Sequence, residues 1–204
     1  MMYTYDSRKI SAGDTFICLP GGEPYIEEAY ARGAEAVVHM TREQMAEFSD
    51  TYFGQPSKDL FVIGITGTNG KTTVSTLVHN ALKQSGYQSC LIGTLNHTLT
   101  TPESLDLQQM MYDHACLGGT HFIMEVSSHG IDQHRVSHIQ FDVKCLTNLT
   151  QDHLDYHGTL EAYHATKNRF MSEWSGLAIY PKDFESLHLP FKTPLKGEFN
   201  LRNM

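Results

Sequence analysis

The chain reads as an α/β protein in two successive units: a small N-terminal one, and a larger one around a mostly parallel sheet. Apolar strand-like runs alternate with helix-like segments along most of its 204 residues. One run, Leu60–Thr66, is apolar almost throughout, as a strand buried on both faces requires. A glycine-bearing loop and an amphipathic helix follow it directly, an order found in α/β sheets that bind phosphate.

The elements follow in order. Thr15-Phe16-Ile17-Cys18-Leu19 is a short apolar strand closed by the turn Pro20-Gly21-Gly22. Tyr25–Arg32 is a helix stopped by Gly33, and Ala36–His39 is a second strand. Strand, crossover helix and strand imply parallel pairing. The polar stretch Thr41–Asp59, with Gly54 and Pro56, reads as a helix and then a linker. Beyond Leu60–Thr66, the residues Val74, Leu77, Val78, Ala81 and Leu82 line one face of a helix that ends at Gly86. Further strands are expected over Ser89–Leu95, His121–Val126 and Asp142–Leu149. Helices are expected over Glu103–Leu117 and Thr159–Met171. The units are thus 1–58 and 59–204. Ligands of such sheets gather at the carboxyl ends of the strands.

Composition excludes several classes. Fifteen basic against 23 acidic residues give a formal charge of −8, unlike a general nucleic-acid binder. A local anion site remains open, because backbone N–H groups can supply one. No stretch approaches the roughly 20 apolar residues of a membrane span. The polar start, Met1–Ile10, has no signal-peptide core. A cytoplasmic location is therefore expected. Cys18, Cys90, Cys116 and Cys145 are far apart in apolar contexts, and read as buried free thiols in a reducing compartment. The chain has 12 histidines. They show no HExxH or paired Cys/His spacing, so a zinc centre has no sequence support. Nothing specifies an oligomeric state.

Gly67-Thr68-Asn69-Gly70-Lys71-Thr72-Thr73 sits between the buried strand and the amphipathic helix. Its glycines let the backbone approach an anion, and the helix N-terminus aims N–H groups at it. Lys71 is placed for the β- and γ-phosphates and the Thr72 hydroxyl for Mg²⁺. The common loop has glycine where this chain has Ile65, so the loop is a variant. Glu125 ends the apolar run Phe122-Ile123-Met124, at the carboxyl end of a strand where such sheets collect ligands.

These residues resemble the Mur ligases, ATP-dependent amide-bond ligases of peptidoglycan synthesis. Gly67–Thr73 looks like their ATP loop, and Asp6-Ser7-Arg8-Lys9 with Gly13-Asp14-Thr15-Phe16 looks like the start of their uridine-nucleotide domain. Thr100-Thr101-Pro102 is similar to their substrate loop. Glu125-Val126-Ser127-Ser128-His129-Gly130, Gln133-His134-Arg135-Val136 and Thr147–Gly158, with Lys167 and Phe170, resemble the tripeptide synthetase branch. The match runs in order from Asp6 to Phe170.

The resemblance implies a function. ATP would phosphorylate the carboxylate of UDP-N-acetylmuramoyl-L-alanyl-D-glutamate, and the amine of lysine or diaminopimelate would attack the acyl phosphate. Gly67, Thr68, Asn69, Gly70, Lys71, Thr72 and Thr73 would hold ATP. Thr72 and Glu125 would bind one Mg²⁺. His153 would bind a second, although Mg²⁺ prefers oxygen. Lys167 would carry a carbamate that helps hold metal; Lys71, His153 and Lys167 form the expected catalytic set. Ser7 would meet the uracil–ribose end. Thr100, Thr101, Ser127, Gln133 and Arg135 would meet the diphosphate and sugar, Arg135 as a forked donor.

The family also has a third, C-terminal domain that binds the incoming amino acid. That domain is expected to be absent here, and the central domain shortened. The tail Gly197–Met204 resembles the family's approach to the last part of the central domain. Between Met171 and Lys196, with Pro181, Pro190 and Pro194, no strand is visible. Full ligation by a chain of this length is expected to be impaired, and the amino acid added is not specified. Two alternatives stay open: a degenerate, non-catalytic nucleotide-binding paralogue, and another ligase of the superfamily such as folylpolyglutamate synthetase. A GTPase is disfavoured, since no Asn-Lys-x-Asp segment occurs.

Overall fold

The computed structural model describes residues 2–183. Two parallel sheets organise them. The first contains β1 (Tyr3–Thr4), β2 (Thr15–Cys18) and β3 (Ala36–His39), in that order. Helix α1 (Ile26–Ala31) crosses from β2 to β3, and α2 (Arg42–Tyr52) follows β3. Side chains of β2 alternate between faces, as a strand demands. Phe16 and Cys18 join Ile10, Ala29 and Ala34 on the α1 side. Ile17 points the other way, to Met45 of α2 and to Leu105. Thr41 starts α2 with a reciprocal capping box with Gln44, which satisfies end groups the helix cannot pair internally.

The second sheet has the order β5-β6-β4-β7-β8, all parallel. Its strands are β4 (Phe61–Thr66), β5 (Ser89–Ile92), β6 (His121–Glu125), β7 (Val143–Leu146) and β8 (Leu177–Ile179). The helices are α3 (Lys71–Gln84), α4 (Ser104–Cys116), α5 (Ser128–Asp132), α6 (Leu154–His157) and α7 (Leu160–Glu173). Strand β4 lies at the centre with β6 and β7 on either side, and Val62 and Ile65 on it are fully buried. One face carries Val62, Phe122, Met124, Leu107 and Phe170. The other carries Ile65, Ile123 and Cys145 under Val74, Val78 and Leu82 of α3; Leu77 and Ala81, expected on the same stripe, are exposed. No helix among the described residues is long and apolar enough to cross a membrane.

The structure corrects further readings. Strand β8 lies where no strand was visible; it is three residues long, too short to show a period. The strands expected over Ser89–Leu95 and Asp142–Leu149 stop at Ile92 and Leu146, because the residues after them leave the sheet to build the site. Cys18 and Cys145 are buried, but Cys90 is half-buried and Cys116 exposed. The tail Gly197–Met204, Pro190 and Pro194 lie outside the described residues.

The two sheets do not meet only through the linker. Helix α2 packs on α4. Tyr5 Oη donates to Asp106, and Gln108 Nε2 to Asp50 Oδ1 at 3.4 Å. A buried lysine ties α7 to the second sheet. Lys144 of β7 is 1 % exposed and its Nζ donates to the Met171 carbonyl at 2.8 Å and to that of Trp174. A cation is favourable at the carbonyl-rich end of a helix.

Candidate active site

The phosphate loop leaves the carboxyl end of β4 and is braced by the segment after β7. Thr68 N donates to Asn148 O at 3.0 Å, and Asn69 N to Asn148 Oδ1 at 3.0 Å. The Thr147 hydroxyl donates to Asn69 O at 2.6 Å. Gly67 has φ of 142°, and a Cβ there would lie 1.9 Å from Thr147 Oγ1. Only glycine allows this brace. Gly70, also left-handed at φ 85°, caps α3. The Thr68 side chain turns inward to Tyr163 Oη at 3.0 Å and accepts from Thr150 N at 2.9 Å.

Two lysines share one carbonyl behind this loop. Lys71 Nζ donates to Gly67 O at 2.9 Å and to Thr68 O at 3.0 Å. Lys167 Nζ donates to the same Gly67 O at 3.0 Å and contacts Thr66 Oγ1 at 3.3 Å. Lys167 is 1 % exposed, not the solvated helix-surface lysine that is ordinary for a lone residue. Neither lysine is in an ion pair with another described residue. Burial, then repulsion from Lys71, brings the Lys167 pKa down to about 7. Burial also lowers that of Lys71, against the pull of Glu125 and Asp152.

A buried carboxylate faces them. Glu125, at the end of β6, is 1 % exposed and so is not a surface acid. Thr72 Oγ1 donates to its Oε2 at 3.0 Å, and Thr94 N to its Oε1 at 3.1 Å. A Cβ at Gly93 would lie 2.2 Å from Glu125 Oε1, so glycine there makes room for the carboxylate. An ionised buried carboxylate needs such donors or a cation.

The substrate-loop candidates form a connected network beside it. Thr101 Oγ1 donates to Glu125 O at 2.9 Å and lies 3.0 Å from Ser127 Oγ. Thr100 Oγ1 is 3.0 Å from Thr94 Oγ1. Arg135 Nη1 donates to Thr101 O at 2.8 Å and Nη2 to Gln133 Oε1 at 2.5 Å. Its Nε lies 3.3 Å from Glu103 Oε1, within ion-pair range but off the hydrogen-bond direction. Glu103 also faces Arg42 of α2 at 3.6 Å.

Two candidates stand apart. His153 is the residue that precedes α6, with φ of 50°. Its Nε2 lies 3.4 Å from Asp152 Oδ2, and its ring is 4.8 Å from that of His129. Ser7 lies in the first unit, donating to Glu28 Oε2 at 2.8 Å. It lines a cleft of about 380 Å³ with Tyr5, Asp6, Arg8, Tyr25 and Glu28.

Sequence reasoning missed Thr94 and Tyr163, and assigned no role to Asp152. Thr94 lay inside the strand expected over Ser89–Leu95; Gly93 just before it was the signal that the strand stops there. Tyr163 carried no signal, because an aromatic on a helix face ordinarily reads as core. Asp152 is the acid whose charge bears on both lysines.

A glycine-bearing loop after a central strand, with a hydroxyl–carboxylate pair beside it, is an arrangement with which α/β cores hold nucleotide phosphates. Residues 65–189 match the family described as the Mur ligase middle domain, more than half of the chain, and the chain belongs to that family. Among curated proteins it is similar to the UDP-N-acetylmuramoyl-L-alanyl-D-glutamate–2,6-diaminopimelate ligase of Pseudomonas putida. The identity is 37 % over 206 aligned residues, covering 85 % of this chain and 41 % of that protein. The ligase of the same name from Geobacillus kaustophilus is 39 % identical over 195 residues, covering 82 % and 40 %. A solved structure of a ligase of this name superposes with TM-score 0.70 at 35 % identity, covering 83 % of this chain and 40 % of that one. The MurF ligase of Thermotoga maritima in complex with ADP shares the fold, with TM-score 0.64 at 21 % identity, covering 91 % and 46 %. The chain spans about two fifths of the length of the curated relatives it matches.

Proposed function

We propose that this chain supplies the ATP-binding and nucleotide-substrate-binding parts of a ligase that extends UDP-N-acetylmuramoyl-L-alanyl-D-glutamate by its third amino acid. The names of its relatives favour diaminopimelate over lysine as that amino acid. A cytoplasmic location belongs to the same reading, as does the division of labour between residues 1–58 and 59–204. The observation that carries it is the pairing of Lys71 and Lys167 on one carbonyl with the Thr72–Glu125 pair on the adjacent strand.

The residues fit the groups this reaction needs. Buried Glu125 and the Thr72 hydroxyl are hard oxygen donors of the kind Mg²⁺ takes. When bound, Mg²⁺-ATP supplies the phosphoryl group that activates the substrate carboxylate. The chain's own part is positioning and charge neutralisation. Gly67–Thr73 present backbone N–H groups, and Lys71 can leave the loop carbonyls for a phosphate oxygen. Thr100, Thr101, Ser127, Gln133 and Arg135 form a preset polar wall for the diphosphate and sugar, with Arg135 oriented by Thr101. The cleft at Ser7 suits the uracil–ribose end. Asp152 orients His153, the proposed ligand of a second Mg²⁺.

Lys167 suits carbamylation in particular. A pKa of about 7 leaves much of its amine neutral at cytoplasmic pH. The neutral amine adds CO₂ at nitrogen and releases one proton, giving a carbamate anion. That reverses the sign of a side chain now without an anionic partner, and adds an oxygen donor set for metal.

Calorimetry with Mg²⁺-ATP and with UDP-N-acetylmuramoyl-L-alanyl-D-glutamate tests the reading. Both should bind, and a folate should not. Lys71→Ala should weaken ATP binding by about 10- to 100-fold, the range of hydrogen bonds to charged groups. Unchanged affinity would remove the phosphate assignment. Binding of the uridine nucleotide with no phosphate release in the presence of diaminopimelate would favour the non-catalytic alternative.

A further inference from the structure

We propose that Cys18, Glu23 and His39 form a binding site for a zinc-class divalent cation at the carboxyl edge of the three-stranded sheet. Among the described residues, these three side chains converge closely enough to share an ion: one ligand atom from each lies within 4.8 Å of the others. Zinc bonds of about 2.0–2.3 Å place tetrahedral ligand atoms roughly 3.3–3.8 Å apart. Glu23 and His39 are exposed, so rotation of their side chains can close that difference.

The fold builds the cluster from three places. Cys18 ends β2 and His39 ends β3, and the parallel register pairs them directly. Paired residues of neighbouring strands present their side chains to the same face. The chain then turns back tightly, with Gly22 N donating to Leu19 O at 2.8 Å. That turn delivers Glu23 at the start of the 3₁₀ segment Glu23–Tyr25. The other end of the segment, Tyr25, lines the cleft shared with Ser7 and Glu28. A bound cation would therefore tether one wall of that cleft.

The donor set decides the class of ion. Thiolate, imidazole and carboxylate together suit zinc and its borderline-soft neighbours, whereas Mg²⁺ and Ca²⁺ take oxygen. Burial, and then the Glu23 carboxylate, raises the Cys18 pKa, so the thiol is protonated without metal. Binding exchanges that proton for the cation and releases it to solvent. Three protein ligands leave a fourth position for water.

Cobalt(II) titration of the full chain tests the site, because a thiolate–cobalt bond absorbs where oxygen- and nitrogen-only sites do not. One equivalent should produce the thiolate charge-transfer band, and zinc but not magnesium should displace it. Cys18→Ser should abolish the band. His39→Ala and Glu23→Gln, at exposed positions that leave folding intact, should each weaken binding by at least roughly tenfold, the loss that even an outer partner of a metal ligand brings. Absence of the band, its survival in Cys18→Ser, or unchanged affinity in both exposed variants would overturn the proposal.

Discussion

At the carboxyl edge of the five-stranded sheet, Glu125 and Lys167 are each 1 % exposed and held by named donors and acceptors. At the same edge of the three-stranded sheet, Glu23 and His39 are exposed and only Cys18 is buried. Both sheets are parallel and collect polar groups at this end. The larger one covers its edge with the braced loop and the segments Gly93–Thr94 and Thr147–Asn148, so its charges cost desolvation energy and their geometry is preset. The smaller one leaves its edge open, and its groups can move. Preset charges respond strongly to substitution and open ones weakly, unless a ligand draws them together.

The largest effect should come from removing the brace. Gly67→Ala places a methyl on Thr147 Oγ1 and strains a left-handed backbone. About 3 kcal/mol of stability should be lost, measured by urea denaturation. A loss below about 1 kcal/mol would mean the loop is not preset. Lys167→Met tests buried charge through pH. The folded pKa of about 7 lies below the usual 10.5. Below about pH 7 the lysine is protonated folded and unfolded, and the burial penalty is full. Between 7 and 10.5 only the unfolded state keeps the proton. Stability then rises with pH by at most about 1.4 kcal/mol per unit. In CO₂-free buffer the Met variant should lose this slope; an unaltered slope would assign it to another group.

The contact between the two units should matter less. Tyr5→Phe removes the hydroxyl that meets Asp106 and should cost about 1 kcal/mol, read as a lower midpoint of thermal unfolding. Smallest of all, His39→Ala without added metal should stay within about 0.5 kcal/mol of the parent, as exposed substitutions do. A larger loss would show that the open edge is as preset as the closed one.

Much of the larger sheet was legible. The run Leu60–Thr66, the loop Gly67–Thr73 and the stripe Val74–Leu82 announce strand, anion loop and helix in local order, because each is set by neighbours within a few residues. Lys71 and Thr72 followed from that order, and Glu125 from the family resemblance. Lys167 did not show its burial: a lysine on a helix looks solvated until the packing of α7 on the sheet encloses it. Lys144 was silent for the same reason. Strands β1 and β8 are too short to carry a period, and exist because a neighbour offers a hydrogen-bonding edge.

The sequence by itself determined the α/β order, the phosphate loop and the family resemblance, since backbone propensity, hydrophobic period and glycine spacing are local properties. The tertiary structure alone decided which charges are buried and which groups converge. It set Lys71 and Lys167 on one carbonyl, shared Glu103 between Arg42 and Arg135, and paired Cys18 with His39 across a strand register. Electrostatic cost and metal geometry depend on distances of a few ångströms between residues far apart in the chain, and only folding fixes those distances.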